Sequence, residues 1–248
     1  MAEEQVVPQD WKLVLAQKRF EYRTETLPGR DPIALKQEIL DLIKEHDAAP
    51  MYEFVCEELD WTPDAGELER LQSAVRAQLD KFEESLKEAG TFQENAGEVE
   101  IRDALASKAL YLADIGDASA AEPALELARS KTAGASQKLD LTFASLRLNM
   151  SLGRWQAVVD TLKSSSTWTR GSIDWERRNK LKVYEAMSAI ATRRLEAASA
   201  LLLDCVVTFS ATELMPYQRL VLLTCLCSTL SLSRPERKAR VVDCPEIV

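Results

Sequence analysis

Residues Glu98–Lys131 read EVEIRDALASKALYLADIGDASAAEPALELARSK, and their pattern recurs along the chain. Ile101, Leu105, Ala109 and Leu112 follow one another at steps of three and four, the spacing of a helix with one buried face. Gly116-Asp117 interrupts that series, as a turn does. A second apolar series follows on Ala120, Ala124, Leu125 and Ala128. Two helices joined by a short turn form an αα-hairpin, and small residues at Gly116 and Ala120 allow the two backbones to approach. The arrangement returns twice. Leu148–Gly153 is followed by Ala157, and Ile190–Arg193 by Ala197, each four residues after its turn position. The turn positions 116, 153 and 193 are 37 and 40 residues apart, within the range of about 33–47 residues of helical-hairpin repeats.

On the N-terminal side the signals are helical but not repetitive. Asp10 is placed to cap a helix carrying Trp11, Val14, Leu15 and Phe20, which ends before Leu27-Pro28-Gly29. Asp31-Pro32 reads as N-cap and first helical residue of a second helix, with Leu35, Ile39, Leu42 and Ile43 on one face. A short third helix spans Met51 to Leu59, and Thr62-Pro63 repeats the cap-then-proline signal. The helix it opens runs to about Ala89, with a heptad seam of Leu68, Leu71, Val75, Leu79, Phe82 and Leu86. Its other faces are acidic: residues 53–100 hold 14 acidic and 4 basic side chains, a balance of −10, so the rest of the chain sums to +1. It is therefore expected to be an arm apart from the solenoid core, its long helix packed along the first repeats in preference to a coiled coil, with the break at Asn95-Ala96-Gly97. Further loops are expected at Gly134-Ala135-Ser136 and Ser164–Ser172. Pro216 opens the last repeat helix, and Ser233-x-x-Glu236 has the form of a capping box. The expected architecture is all-α: a right-handed α-solenoid of tetratricopeptide-like helical hairpins over 98–232, an N-terminal helical arm over 1–97, and a further helical start over 233–248.

Length and composition agree. A chain of 248 residues that is 46% hydrophobic can bury a sizeable core, and its eight glycines and nine prolines favour helices over a turn-rich sheet. Five cysteines, at 56, 205, 225, 227 and 244, make no paired framework and point to free thiols in a reducing compartment. The acidic N-terminus MAEEQVVPQD shows no apolar signal region. The longest apolar run, Leu220–Leu232, has 13 residues, short of the roughly 20 that span a bilayer.

Catalytic chemistry finds little support. The single histidine, His46, stands at the end of an amphipathic helix, where the helix dipole favours a basic group. One histidine excludes a His-Glu-x-x-His zinc centre. Cys225 and Cys227, two apart on a helix, point in different directions and cannot both face one ion. No G-x-G-x-x-G or G-K-[ST] loop occurs, and the carboxylates lie on solvated helix faces. No catalytic, metal or cofactor residue is assigned, and no small-molecule substrate is expected.

One polar segment stands out. DWERRNKLKVYE, residues 174–185, sets Arg177, Arg178, Lys180 and Lys182 beside Trp175 and Tyr184 at a helix start. Such interleaving can serve single-stranded nucleic acid. Here acidic neighbours dilute it, leaving a solvated or internally paired face and a protein interface as the competing readings, with Trp175, Arg177, Arg178, Lys180 and Lys182 as candidate interface residues. Gly116, Ala120, Gly153 and Ala157 are the candidate turn residues.

At this segment the sequence also resembles a family. DWERRNKLKVYEA, EIRDALASKALYLADIGD at 100–117, AAPMYEFVCEELDW at 48–61, FSATELMPYQRLV at 209–221 and LSRPERKARVV at 232–242 are similar, in one order over nearly the whole chain, to the non-ATPase subunit-seven family of the 26S proteasome regulatory particle lid. The paralogous signalosome subunit shares the plan. The resemblance implies the PCI architecture, in which a helical arm and a tetratricopeptide-like solenoid precede a winged helix. It implies a non-catalytic scaffold in ubiquitin-dependent protein degradation, found in cytoplasm and nucleus. Its partners would be other lid and regulatory-particle subunits, with no nucleic acid and no membrane. The family continues beyond the position of Val248, so 233–248 is expected to be the start of a truncated PCI region. The alternative of another class is an adaptor that captures a peptide in a groove of its repeats.

Overall fold

The computed structural model describes residues 8–24, 31–91, 97–167, 169, 173–245 and 247. The described residues form twelve α-helices and a π-helical turn: α1 Trp11–Arg23, α2 Pro32–Glu45, α3 Ala49–Glu58, α4 Ala65–Thr91, α5 Gly97–Asp114, α6 Ala118–Lys131, α7 Ala135–Ser151, α8 Trp155–Ser166, α9 Trp175–Ala191, α10 Leu195–Cys205, α11 Tyr217–Ser231 and α12 Arg234–Arg237, which runs into a π turn at Lys238–Val242. No strand occurs among them. The chain is all-α, a fold class consistent with a helical solenoid. It packs as two compact units, one of Trp11–Leu152 and one of Gly153–Val248 with the segment ending at Asp10. These units follow packing, whereas the division at 97 and 232 follows charge and repeat character. The expected breaks at Leu27-Pro28-Gly29 and Asn95-Ala96 lie outside the described residues.

In the first unit, α1–α7 share one hydrophobic core. Leu15, Ile39, Ile43, Met51 and Val55 join Leu71 of α4 and Ala109, Leu112, Leu125 and Leu148 of the later helices. The acidic segment is thus no separate arm. Leu71 and Val75 are buried in that core, Leu68 and Leu79 pack against it, and the Phe82 ring meets Tyr111 of α5 at 5.4 Å. Its charges stay outside because the apolar seam alone faces inward. Its cap also differs from expectation: Asp64 Oδ1, not Thr62, accepts from the Gly66 and Glu67 N–H groups at 2.9 and 3.4 Å. Asp31 does cap α2, accepting from Ile33 N. Phe20, expected on the apolar face of α1, is exposed.

Polar groups inside this core are tied. Lys12 is 4% exposed, and its Nζ donates to Asp114 Oδ1 at 2.8 Å, an oxygen that also accepts from Trp11 Nε1 at 3.1 Å. The Trp11 ring stacks on His46, centroids 4.3 Å apart and planes at 9°. Arg19 donates to Glu58 Oε2 at 2.6 Å and to the Ser151 carbonyl at 3.1 Å, serving a free acceptor at the end of α7. Asn149, buried, donates to Glu122 Oε1 at 2.6 Å and thereby ties α7 to α6.

In the second unit, α9 packs on α8 and α10, and α10 packs on α11. Asp10 N–H donates to the Glu213 carbonyl and Gln9 Nε2 to the Leu214 carbonyl, both at 2.8 Å, so the N-terminal segment is held by the loop before α11. The polar run from Ser164 begins inside α8. Ser165, Ser166 and Thr167 turn their hydroxyls onto carbonyls three residues back, so the helix continues through them. Residues 168 and 170–172 of that run lie outside the described residues. Glu236 accepts from the Ser233 N–H at 3.2 Å, as the capping box requires.

Five of the turns between helices share one backbone device. Asp47, Asp60, Gly116, Gly153 and Arg193 all hold positive φ, from 45° to 84°. After four of them the next N–H returns to the carbonyl five residues earlier: Ala48 to Ile43, Trp61 to Cys56, Asp117 to Leu112 and Arg194 to Ala189. This is the Schellman closure of a helix C-terminus. The expected turns at 116, 153 and 193 are present. The buried small residues after them are not the expected ones: Ala121 and Val158 are buried, while Ala120 and Ala157 are only half-buried, one position off the facing stripe.

Candidate protein-interaction site

The start of α9 carries the basic and aromatic cluster. Asp174 is its N-cap: Oδ1 accepts from Arg177 N at 2.8 Å, and Oδ2 pairs with Arg177 Nη1 at 2.7 Å. Those bonds from the Arg177 backbone and guanidinium hold the Asp174 carboxyl below its ordinary value. Lys180 Nζ lies 3.7 Å from Glu176 and 3.6 Å from Glu213 of the loop before α11. The Tyr184 hydroxyl also reaches Glu213, at 3.4 Å. Lys182 Nζ lies 3.7 Å from Asp204 of α10.

Three of the four basic residues are therefore engaged within the chain. Arg178 is exposed and has no side-chain partner among the described residues, and Trp175 is 66% exposed. At positions i and i+3 they share a face of α9. Tryptophan and arginine are residue types enriched at protein interfaces. Trp175 and Arg178 are both exposed, and Arg177, Lys180 and Lys182 lie against carboxylates of the chain.

The turn residues play different parts. A Cβ at Gly116 would fall 2.6 Å from Met51 Cε, so its closeness is to α3 and not to α6. Among the described residues nothing lies within 4 Å of such a Cβ at Gly153, which serves the turn. His46 is the C-cap of α2, as its position suggested. Among the described residues no cluster of three His, Cys, Asp or Glu side chains is arranged to hold a metal ion. No helix among them is long and apolar enough to cross a membrane.

Sequence reasoning missed two features. One is the buried Lys12–Asp114 and Arg19–Glu58 pairing; its signal is that Trp11, Leu15 and Arg19 fall at steps of four on one face of α1. The other is a groove over α9, for which only the small residues Ser188 and Ala189 give a hint.

Comparison with known proteins places the chain. The family model for 26S proteasome subunit RPN7 matches residues 64–240, well over half of its length. A 26S proteasome non-ATPase regulatory subunit 6 homolog of Arabidopsis thaliana is 35% identical over 236 residues, covering 95% of this chain and 60% of that protein. The 26S proteasome non-ATPase regulatory subunit 6 of Oryza sativa subsp. japonica is 33% identical over 236 residues, with the same coverage. The 26S proteasome regulatory subunit rpn7 of Schizosaccharomyces pombe is 29% identical over 242 residues, covering 95% of this chain and 59% of its own. The chain spans about 60% of the length of these relatives. With a match that runs from the first turns of α4 into the last π turn, the chain belongs to the 26S proteasome subunit RPN7 family.

Proposed function

We propose that this chain acts as a non-catalytic scaffold of the 26S proteasome regulatory particle lid, in ubiquitin-dependent protein degradation. The observation that carries the reading is the extent of the family match: residues 64–240 take in nearly all of α4–α12, so what is shared is the helical-hairpin framework itself. A framework of this kind works by shape. Each hairpin buries its apolar face on its neighbours and offers its outer face to other proteins, fixing them through many modest contacts. The partners are other lid and regulatory-particle subunits, and the working compartments are cytoplasm and nucleus. Neither nucleic acid, nor membrane, nor a small-molecule substrate is part of this role. Relatives named as non-ATPase regulatory subunits support the absence of catalysis.

Within this reading Trp175 and Arg178 are contact residues. The test is affinity purification of the tagged full-length protein from its own cells, followed by mass spectrometry. Co-purification of the lid subunits in stoichiometric amounts is the expected result, and recovery without them overturns the proposal. Trp175→Ala with Arg178→Glu is expected to lower incorporation severalfold while the circular dichroism spectrum stays unchanged, because both positions are exposed.

A further inference from the structure

Helices α8, α9 and α10 enclose a groove of about 250 Å³. Val159 and Leu162 of α8, Ala189 of α9 and Leu201 of α10 form its apolar walls. Two polar groups of α9, one turn apart, interrupt them. Ser188 is 1% exposed, and among the described residues its Oγ has no hydrogen-bond partner. Thr192, one turn later, does turn its hydroxyl back onto the helix, bonding the Ser188 carbonyl at 2.8 Å. Glu185 is half-buried, and among the described residues no donor bonds its carboxyl. Burial pushes that carboxyl above its ordinary range against the pull of the Lys182 charge. Lys163 of α8 and Arg194, just before α10, stand on the groove's exposed rim.

A half-buried carboxylate that no protein donor bonds is a costly group, and a ligand donor that meets it is stabilising. A ligand that meets this lining needs a donor for Glu185, an aliphatic body for the walls, and an anion for the two cations. The volume lies below the range of about 300–1,000 Å³ that holds drug-sized molecules, so one compact group must carry all three. The last residue of a polypeptide does: it has an amide N–H, a side chain and a free carboxylate on a single unit. An internal residue lacks the backbone carboxylate, and an inorganic anion lacks the body. Among the described residues the rim cations have only weak local ties. Lys163 lies 3.7 Å from Asp160, and Arg194 Nε donates to the Thr192 hydroxyl at 3.1 Å. Exposed contacts of this kind yield readily to a better-placed carboxylate.

We infer that the α8–α10 groove receives the C-terminal residue of a partner protein, an aliphatic side chain with its free α-carboxylate. This is a capture of a chain end, and it goes beyond lid membership without depending on it, since every lining residue lies in the Gly153–Val248 unit.

The test is titration of the isotope-labelled full chain with N-acetyl-L-leucine, followed by amide chemical shifts. Saturable shifts confined to residues 159–166, 185–189 and 194–201 are expected, with a dissociation constant on the order of millimolar for so small a probe. N-acetyl-L-leucinamide, which lacks the carboxylate, should bind at least about tenfold more weakly. Arg194→Ala should weaken the leucine probe by about threefold or more. Ala197→Glu, at an exposed wall position, should weaken it by about tenfold or more through like charge. Equal binding of the amide would reduce the groove to an apolar crevice and overturn the inference. Equal shifts with acetate would mean an adventitious ion only, and the absence of saturable shifts would overturn it as well.

Discussion

Met51 stands where a side chain on Gly116 would have to go. A Cβ there would lie 2.6 Å from Met51 Cε and 3.2 Å from Met51 Cβ, on a backbone already at φ 84°. Gly153 holds a similar φ of 71°, and among the described residues nothing lies within 4 Å of a Cβ there. Gly116→Ala is therefore expected to cost about 2–4 kcal/mol, combining left-handed strain of about 1–2 kcal/mol with displacement of a buried methionine. Gly153→Ala should cost the strain alone. Thermal unfolding checks this at about 2–4 °C per kcal/mol. In a Met51→Ala background the Gly116→Ala penalty should shrink, and equal penalties in both backgrounds would contradict the contact.

The Lys12–Asp114 pair is asymmetric, and so should its mutants be. Lys12 is buried while Asp114 reaches solvent. Asp114→Asn strips the carboxylate from a buried ammonium and is expected to cost about 2–3 kcal/mol at pH 7, whereas Lys12→Met leaves a carboxylate that water can reach and should cost less. Partial burial raises the Asp114 carboxyl, but the Lys12 charge and the bonds from Lys12 and Trp11 outweigh it and hold it below 3.8. A depressed carboxyl contributes stability that is complete above its unfolded value near pH 4 and lost as pH falls through the folded one. Urea titrations should thus show the wild-type advantage over Asp114→Asn at pH 7 shrinking below pH 4.

Asn149 offers a second charge test. Its Nδ2 donates to Glu122 Oε1 at 2.6 Å. Asn149→Asp would set two carboxylates at that contact, with an expected loss of about 3 kcal/mol or more at pH 7 that eases towards pH 5 as one of them takes a proton. Asn149→Leu should show no such easing. Denaturation at the two pH values separates the variants.

The thiols should divide by burial. Burial pushes the Cys205 thiol up to about 11, with the Lys182 charge opposing and Asp204 and Glu185 adding to it. Burial likewise raises Cys56 and Cys227. Cys225 and Cys244 are only half-buried. At pH 8, iodoacetamide with peptide mass spectrometry should find Cys225 and Cys244 alkylated at least about tenfold faster than the other three in the native chain. Prompt alkylation of Cys205 would contradict its burial.

The hairpin of Glu98–Lys131 was readable because Gly116 is the residue a left-handed turn asks for, and the Arg193 turn because its offset repeats. Asp47 and Asp60 hold the same conformation with side chains that pass for ordinary loop or cap residues, so their kinship with Gly116 appears only in φ and in the returning hydrogen bonds. The basic run at α9 was legible as composition and not as pairing. Asp204 and Glu213, which engage Lys182 and Lys180, lie far along the chain, and charge pattern alone does not report distance in space. The core location of α4 was masked in a similar way: its acidic faces dominate the count, while the few seam residues Leu71 and Val75 decide where it packs.

The bonds from Gln9 and Asp10 to the loop before α11 give the chain a timetable. Gln9 and its acceptor Leu214 are 205 residues apart. A ribosome adding about 5–20 residues per second therefore needs about 10–40 s to supply that acceptor. The hairpins between them close through local hydrogen bonds and can form in turn as each emerges. Gln9 and Asp10 are thus made well before the loop that holds them, and the pace of translation sets how long they stay open to other binders.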